Sequence, residues 1–227
     1  MSYTIFLVED EPNLNRLLTS YLEKEGWQVT SFLTGRSAQE AIGQKPHLWI
    51  LDIMLPDLDG YQLIAEIKAF SPQVPVIFIS ARDSDLDRIV GLEKGSDDYL
   101  PKPFMPRELI IRVGKLLERV YGAKSSPPGE LLLLEVHPYR IDRRGRTVLL
   151  EQRKIELTSR EFDLLVYLSE HQGLALAREQ ILNRLWGKSY YGSDRVVDDL
   201  VRRLRKKMPA LEIETIYGYG YRLVIGG

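Results

Sequence analysis

The 227-residue chain contains no cysteine. Disulfide frameworks, thiolate metal sites and cysteine nucleophiles are therefore excluded, and a reducing compartment is allowed but not required. The chain also lacks any apolar run of membrane-spanning length, and acidic residues occur too early, at Glu9 and Asp10, for a signal peptide. These absences predict a cytoplasmic protein with no direct membrane association.

Neither sign of charge dominates, because 31 Lys and Arg against 32 Asp and Glu give a net charge of -1. The balance conceals an asymmetry: residues 1–121 hold 13 basic and 18 acidic residues, whereas residues 122–227 hold 18 and 14. An acidic half joined to a basic half suggests a cation site in the first and a polyanion partner for the second. Ordinary scatter of surface charge is the simpler alternative. The length fits two domains of ordinary size.

Residues 1–121 alternate short apolar runs with amphipathic stretches. The apolar runs lie at 4–8, 48–51 and 76–79, with weaker strand candidates at 28–30 and 99–100. Helical patterns separate them at 12–25, 37–44, 61–70, 84–94 and 106–121. Five such strand–helix units predict an α/β domain with a parallel sheet covered by helices on both faces.

The second half has a different pattern and follows a predicted linker at 122–130, which is rich in Gly, Ser and Pro. Strand-like runs occupy about 131–157, and a glycine-rich hairpin is predicted at 214–222. Three helices are expected between them, at 159–171, at 178–186 and from 193 or 194 to 208, where Pro209 ends the last one. This predicts a separate α+β domain over 131–227.

Polar residues follow several of the predicted parallel strands. Ligands of such sheets bind at the carboxyl ends of the strands, where Glu9, Asp10, Asp52, Ser80 and Lys102 are expected. Converging carboxylates repel one another unless a cation such as Mg²⁺ joins them. Lys102 could then neutralise a transferred phosphoryl group, and Ser80 could bond one of its oxygens. Each residue alone could be a solvated loop residue, but together they predict a phosphoacceptor site.

Several motifs make this interpretation more specific. They are Val8-Glu9-Asp10, Leu51-Asp52-Ile-Met-Leu-Pro56, Gly60, Ser80-Ala-Arg82 and Asp97-Asp-Tyr-Leu-Pro-Lys-Pro-Phe104. Over residues 3–121 they resemble the receiver domain of response regulators, which implies a flavodoxin-like sheet of strand order 2-1-3-4-5. The resemblance implies that a sensor histidine kinase phosphorylates Asp52. It implies a cis peptide bond before Pro103.

The same resemblance assigns roles around Asp52. Glu9, Asp10, Asp52 and the main-chain carbonyl of Met54 would bind Mg²⁺, and Lys102 would contact the phosphate. Ser80 and Tyr99 would form the conformational switch. Taken without the resemblance, Tyr99 is equally well an aromatic residue that packs an edge strand on a helix.

Residues 83–119 resemble the subfamily whose receivers dimerise on phosphorylation. The implied ion pairs are Arg88 with Glu108, Asp98 with Arg112 and Asp97 with Arg119, around an apolar patch of Ile89, Leu92 and Ile111. Exposed pairs of this kind contribute about 0–1 kcal/mol each, so we expect the apolar patch to provide the affinity. A solvated charged face is the alternative.

The predicted third helix of the second half is strongly basic. Val197, Leu200, Val201, Leu204 and Met208 form an apolar stripe at helical spacing, and six basic residues occupy other positions. With residues 157–165 and the hairpin, this helix resembles the winged-helix effector domain of the OmpR/PhoB family. The implied DNA contacts are Arg195, Leu200, Arg202, Arg203, Arg205, Lys206 and Tyr217.

Two positions depart from that family, which often has a polar residue at position 200 and an arginine at position 217. Arginine reading of a minor groove is therefore not expected here, and hairpin packing of Tyr217, Tyr219 and Tyr221 is an alternative to DNA contact. The loop 186–193 resembles a segment that contacts RNA polymerase, although a plain connector fits equally. The segments 48–56 and 194–205 further resemble a secretion-stress regulator, which implies a secretion or cell-envelope stress response.

Two alternatives to a phosphorylation-controlled, non-enzymatic transcription regulator remain at this point. A phosphohydrolase could use Asp52 as its nucleophile, although the paired aspartates expected after its first strand are missing. A constitutive DNA binder could use its first domain only to dimerise. A nucleotide-binding enzyme is disfavoured, because neither glycine-rich phosphate motif occurs.

Overall fold

The computed structural model describes residues 2–81, 91, 94–122, 133–187 and 194–224. Contacts between Cα atoms divide the chain into two compact units, Met1–Gly122 and Ala123–Gly227. The predicted helix at 84–94 and the predicted linker lie almost wholly outside the described residues.

The first unit contains a five-stranded sheet of order β2-β1-β3-β4-β5, in which every neighbouring pair is parallel. The strands are β1 Thr4–Val8, β2 Gln28–Phe32, β3 Leu48–Asp52, β4 Val76–Ser80 and β5 Asp98–Pro101. All residues of β3 and β4 are buried, as expected for central strands of a sheet covered on both faces. The predicted fold class and strand order are confirmed.

Helices cover both faces of this sheet. The described helices are α1 Pro12–Lys24, α2 Gly35–Glu40, α3 Gly60–Phe70 and α4 Pro106–Tyr121. Side chains of α1 and α4 pack on one face with Ile5 and Leu7, while α2 and α3 pack on the other with Phe6 and Val8. The alternation of β1 side chains between two cores follows from the period of two residues in a strand.

The second unit begins with an antiparallel sheet of order β6-β7-β8-β9. Its strands are β6 Leu133–Val136, β7 Tyr139–Asp142, β8 Thr147–Leu150 and β9 Arg153–Ile155. A turn after Asp142 joins β7 to β8, and the Asp142 carboxylate accepts hydrogen bonds from the amides of Arg144 (3.0 Å) and Gly145 (2.9 Å). An aspartate at the start of a turn satisfies the turn's amides in this way.

The described residues beyond this sheet form three helices, α5 Ser159–Glu170, α6 Arg178–Trp186 and α7 Arg195–Lys207. Helix α5 begins with a capping box, in which Thr158 and Glu161 each bond the other's main-chain amide. The apolar stripe predicted for the third helix is buried, since Val197, Leu200, Val201, Leu204 and Met208 are all fully covered. This stripe orients α7 in the unit.

A second antiparallel sheet, of order β10-β12-β11, closes the unit. Its strands are β10 Leu176–Ala177, β11 Ile213–Ile216 and β12 Gly220–Leu223, so the predicted hairpin is present. The two-residue strand β10 was not predicted. It approaches the hairpin so closely that a Cβ atom on Gly220 would lie 2.0 Å from the carbonyl oxygen of Leu176. Only glycine fits at this position.

Candidate functional site

Three carboxylates meet at the carboxyl edge of the parallel sheet. Glu9 and Asp10 directly follow β1, and Asp52 ends the neighbouring strand β3. Each supplies an oxygen within 4.8 Å of the others. Glu9 and Asp52 are buried, 0% and 3% exposed, so their charges require compensation.

Lys102, which lies just beyond β5, supplies part of that compensation. Its Nζ donates to Asp52 Oδ2 at 2.5 Å and lies 2.8 Å from Glu9 Oε2. Burial raises the pKa of Glu9, and the hydrogen bond and charge of Lys102 offset only part of that rise. Burial alone would lower the pKa of Lys102, but its bonds to Asp52 and Glu9 outweigh burial and raise it. Lys102 is therefore a protonated cation at the centre of the cluster.

The loop after β3 folds back against the Asp52 end of the strand. The Met54 amide donates to Asp52 Oδ1 at 2.8 Å. A Cβ atom on Gly60 would lie 2.6 Å from the Asp52 carbonyl oxygen, so glycine permits this close approach. Gly60 was part of the motif that resembles a receiver domain. The close packing of the backbone at Asp52 gives the physical reason why a glycine stands there.

Asp57 anchors the same loop, and sequence reasoning missed it. Its carboxylate accepts hydrogen bonds from the amides of Gly35 (2.8 Å) and Arg36 (2.9 Å), at the first turn of α2. These bonds, with that from Arg36 the strongest cause, lower the pKa of Asp57. An acidic residue that caps a helix 21 residues away leaves no local sequence signal.

The two predicted switch residues lie on neighbouring strands. Ser80 ends β4 and is fully buried, and its carbonyl oxygen accepts from the Lys102 amide at 2.7 Å. The Tyr99 ring on β5 is 1% exposed and pairs across the strands with Phe78. Tyr99 therefore occupies an inward position. The predicted cis peptide bond between Lys102 and Pro103 is present.

The acidic residues before and in β5 are paired within one chain. Arg112 contacts Asp98 at 3.0 Å and Glu108 at 2.7 Å, and Arg119 contacts Asp97 at 2.9 Å. The predicted pairs of Asp98 and Asp97 are therefore formed without a second copy. Ile111 is 46% exposed, as an interface residue requires. Arg88, Ile89 and Leu92 lie outside the described residues.

Asp97 is buried between two cations of its own unit. Its side chain is 1% exposed, and Lys68 lies 3.2 Å from it as a second, almost fully buried cation. The Val76 amide also donates to its carboxylate at 3.0 Å. Asp97 is therefore enclosed by its own chain and joins α3, β4 and α4, while its role in a dimer interface stays a prediction. Sequence reasoning gave no role to Lys68.

The predicted DNA-binding side chains of α7 differ in exposure. Arg195, Arg202 and Lys206 are exposed and, with the half-buried Asp199, occupy one face at helical spacing. We call these four residues the outer face of α7. The predicted DNA contact of the Leu200 side chain is wrong, because Leu200 is 0% exposed and belongs to the core.

Arg203 and Arg205 turn toward their own unit. Arg203 lies 3.6 Å from the buried carboxylate of Glu161, to which Lys207 also donates at 2.7 Å. Arg205 donates to the carbonyl oxygen of Ile213 at 2.6 Å, in the hairpin. Both arginines are half-buried, so in this conformation they support α7 rather than extend from it.

The three hairpin tyrosines separate into two environments. Tyr217 at the tip is 93% exposed and Tyr219 is 47% exposed, whereas Tyr221 is 4% exposed. Packing thus accounts for Tyr221 but not for Tyr217. Asp198 on α7 accepts a hydrogen bond from the Tyr221 hydroxyl at 2.6 Å and one from Arg178 Nε at 2.7 Å. Sequence reasoning did not single out Asp198.

Comparison with known proteins agrees with this geometry. Residues 5–114 match the family described as response regulator receiver domain, and residues 152–223 match transcriptional regulatory protein, C terminal. The chain is 61% identical to the transcriptional regulatory protein CssR of Bacillus subtilis over 225 residues, which cover 99% of both chains. It is 35% identical to the transcriptional regulatory protein SrrA of Staphylococcus aureus, covering 99% of this chain and 97% of SrrA.

A solved structure gives the same assignment. The response regulator DrrB of Thermotoga maritima, an OmpR/PhoB homologue, is 33% identical with a TM-score of 0.53, covering 99% of this chain and 100% of DrrB. Among the described residues, no helix is both long and apolar enough to cross a membrane. The phosphohydrolase alternative is excluded, because the matched families and relatives are regulators of transcription rather than enzymes. The chain belongs to the OmpR/PhoB family of two-component transcriptional response regulators.

Proposed function

We propose that Asp52 is the phosphoacceptor and that its phosphorylation controls DNA binding by the second unit. The observation that carries this proposal is the position of Lys102, whose ammonium group contacts both Asp52 and Glu9 at the carboxyl edge of the sheet. A fixed cation beside a buried carboxylate can neutralise the charge that a phosphoryl group brings. The proposed domains are a receiver at 1–121, a linker at 122–130 and an effector domain at 131–227.

The donor set fits Mg²⁺. Glu9, Asp10 and Asp52 provide carboxylate oxygens close enough to share one ion, and oxygen ligands are those that Mg²⁺ prefers. The main-chain carbonyl of Met54 would be the fourth protein ligand. When bound, the ion supplies positive charge to the phosphoryl oxygens.

The transfer itself requires little of the protein beyond positioning. A carboxylate oxygen of Asp52 attacks the phosphorus of a phosphohistidine on a sensor kinase, an O–P bond forms, and the N–P bond breaks. The histidine leaves as a neutral imidazole once it takes up a proton. The Met54 amide donates to Asp52 Oδ1 at 2.8 Å and Lys102 Nζ donates to Oδ2 at 2.5 Å, so the carboxylate is oriented before the transfer. Lys102 then pairs with the phosphoryl oxygens.

Ser80 and Tyr99 connect this site with the β5–α4 face. Ser80 would bond a phosphoryl oxygen, and the inward position of Tyr99 would then be favoured over an outward one. The face that responds includes the exposed Ile111 and the partly exposed pair of Asp98 and Arg112. A homodimer formed through this face is the proposed output, with Arg88, Ile89, Leu92, Glu108 and Arg119 as the other contributors.

The outer face of α7 is the proposed DNA-reading surface, since a basic helix of a winged-helix domain enters the major groove. Arg195, Arg202 and Lys206 would contact DNA directly, with Tyr217 at the exposed hairpin tip. Arg203 and Arg205 would reach DNA only by releasing their present partners. The loop 186–193, mostly outside the described residues, is the proposed contact for RNA polymerase.

The 61% identity to the transcriptional regulatory protein CssR supports a role in transcription. We further propose that the protein acts in the cytoplasm, in a secretion or cell-envelope stress response, under a membrane sensor histidine kinase. Promoter DNA is the target. A constitutive DNA binder remains the competing function, and phosphorylation dependence separates the two.

The decisive experiment combines phosphorylation with sedimentation and DNA binding. Acetyl phosphate with Mg²⁺ should phosphorylate the full chain but not Asp52→Asn. Beryllofluoride should shift sedimentation toward a dimer and tighten binding to a duplex selected from a random pool. Asp59→Asn is the matched control, because it changes an aspartate that caps α3 in the same loop. Equal DNA affinity of phosphorylated wild type and Asp52→Ala at one salt concentration would establish the constitutive alternative.

A further inference from the structure

One carboxylate oxygen of α7 joins the hairpin of the second unit to both α7 and α6. Asp198 Oδ1 accepts from the Tyr221 hydroxyl on β12 at 2.6 Å and from Arg178 Nε on α6 at 2.7 Å. Both donors converge on the same atom, so the loss of that oxygen's charge weakens two connections together. We call Asp198, Tyr221 and Arg178 the hairpin anchor.

Two arginines, one on α6 and one on α7, reinforce the hairpin anchor through cation–π contacts with the Tyr221 ring. The guanidinium groups of Arg178 and Arg205 lie 5.1 Å and 5.6 Å from the Tyr221 ring centroid. Arg205 also donates to the hairpin at Thr215 Oγ1, at 2.8 Å. Burial, followed by the bond and charge of Asp198, raises the pKa of Tyr221 to about 12. The hydroxyl therefore remains a donor at any physiological pH.

The position of the anchor on α7 gives it a functional meaning. Asp198 and Arg205 are seven residues apart and thus share one edge of the helix, beside the outer face that contains Arg202. Tyr217, at the exposed tip of the hairpin, comes directly after β11 in the chain. Arg205 donates a hydrogen bond to β11 at the carbonyl oxygen of Ile213. The hairpin anchor and Arg205 consequently connect two surfaces that one DNA duplex would have to contact simultaneously.

We propose that Asp198 is a positioning residue for DNA recognition. Through Tyr221 and Arg178 it holds the hairpin at a fixed position relative to the outer face of α7. A hairpin held in place before binding loses less conformational freedom on DNA, and this favours the duplex that both surfaces match. The inference rests on the proposed DNA-binding function of the second unit. Because Asp198 is 44% exposed, we expect a modest effect, about three- to tenfold in discrimination.

The first test measures the hairpin without DNA. Hydrogen exchange of the amides at 213–223 should be faster in Asp198→Asn than in Asp199→Asn of the full chain. Asp199 is the matched control, because it is the next residue of α7, loses the same charge, and pairs with Arg202 of its own helix at 3.2 Å. Amides at 133–155 should exchange equally in both variants. Equal hairpin exchange in the two variants would overturn the inference.

The second test measures recognition without a change of charge. Tyr221→Phe removes only the anchoring hydroxyl. Tyr167→Phe is its control, since Tyr167 of α5 packs on His171, just beyond that helix, and on Arg184 of α6. The readout is the affinity ratio between a duplex selected from a random pool by the wild type and a scrambled duplex, with beryllofluoride and Mg²⁺ present. We expect Tyr221→Phe to lower the ratio about threefold and Tyr167→Phe to preserve it.

The outcomes of the two tests distinguish a failure of the positioning role of Asp198 from a failure of the proposed DNA-binding function. Faster hairpin exchange with an unchanged ratio in Tyr221→Phe would overturn the positioning role, because the anchor would then be structural only. If Asp198→Asn does not fold, Tyr221→Phe decides by both measurements. A wild type that does not distinguish the two duplexes would instead refute the proposed DNA-binding function.

Discussion

Lys102 Nζ lies 2.5 Å from Asp52 Oδ2, closer than it lies to either oxygen of Glu9. The ammonium group thus lies on the side of Asp52 where a phosphoryl group would be placed, and it compensates part of the negative charge of Asp52 and Glu9. Lysine and Mg²⁺ are therefore expected to compete for the same negative charge.

Lys102→Met should lower stability without Mg²⁺ and increase the stabilisation that Mg²⁺ provides. The carboxylates would repel one another more strongly, and an ion would no longer compete with the ammonium group. Thermal unfolding with and without Mg²⁺ measures both effects. Lys115→Met, a change at an exposed position on α4, is the control. A metal-dependent shift equal to that of the wild type would contradict the idea of competition.

Asp57→Asn should destabilise the first unit by about 1 kcal/mol at neutral pH, the usual contribution of a helix cap. The folded-state pKa of Asp57 lies below its ordinary value of 3.8, so its stabilisation is fully present above pH 3.8 and is lost as the pH falls through the folded value. The difference between variant and wild type should therefore shrink below pH 3.8.

Urea denaturation over a series of pH values measures this difference. Glu40→Gln, at an exposed position near the end of α2, controls for the loss of one acidic charge. A penalty for Asp57→Asn that stays constant down to the lowest pH would show that the carboxylate charge does not stabilise the helix start.

The contrast between Asp52 and Asp57 shows how far the sequence predicts the site. Asp52 could be found because it ends an apolar run, and parallel strands place such ends together. Asp57 could not, because its partners belong to α2 and depend on how the loop folds back. Leu200 shows the same limit for side chains: the apolar stripe placed it in the core, yet the family position suggested DNA.

Periodicity predicted the larger elements because helices and strands have fixed repeats. Strand β10 is an exception, since two residues carry no period and only the hairpin that pairs with them defines the strand. The buried ion pair of Lys68 and Asp97 could not be predicted from the sequence either, because a lysine in an amphipathic helix usually indicates a solvated face.

Asp97→Asn should destabilise the first unit by about 3 kcal/mol, whereas Asp98→Asn should cost about 1 kcal/mol or less. The side chain of Asp97 is 1% exposed, and its loss leaves Lys68 as a buried cation, while the side chain of Asp98 is 16% exposed. Urea denaturation of the two variants provides the comparison. Adding Lys68→Met should recover part of the stability lost in Asp97→Asn. Similar costs for the two aspartates would refute the buried-cation explanation.

Arg202 and Arg203 are adjacent on α7, but their replacement by alanine should affect different properties, DNA binding for Arg202 and stability for Arg203. Arg202 is 67% exposed on the outer face, so Arg202→Ala should weaken DNA binding. The slope of the logarithm of affinity against the logarithm of salt concentration should become smaller in magnitude by about 1. Arg203 is 19% exposed and lies beside Glu161, so Arg203→Ala should mainly lower the free energy of unfolding, by about 1–3 kcal/mol.

Fluorescence anisotropy at several salt concentrations, together with thermal unfolding, distinguishes the two effects in the full chain. Each variant is the other's control, because both lose one arginine from the same helix. If Arg203→Ala instead reduced the salt dependence and left stability unchanged, Arg203 would have to leave Glu161 on binding DNA. Lys207, which donates to Glu161 at 2.7 Å, would then be the cation that keeps this buried carboxylate compensated.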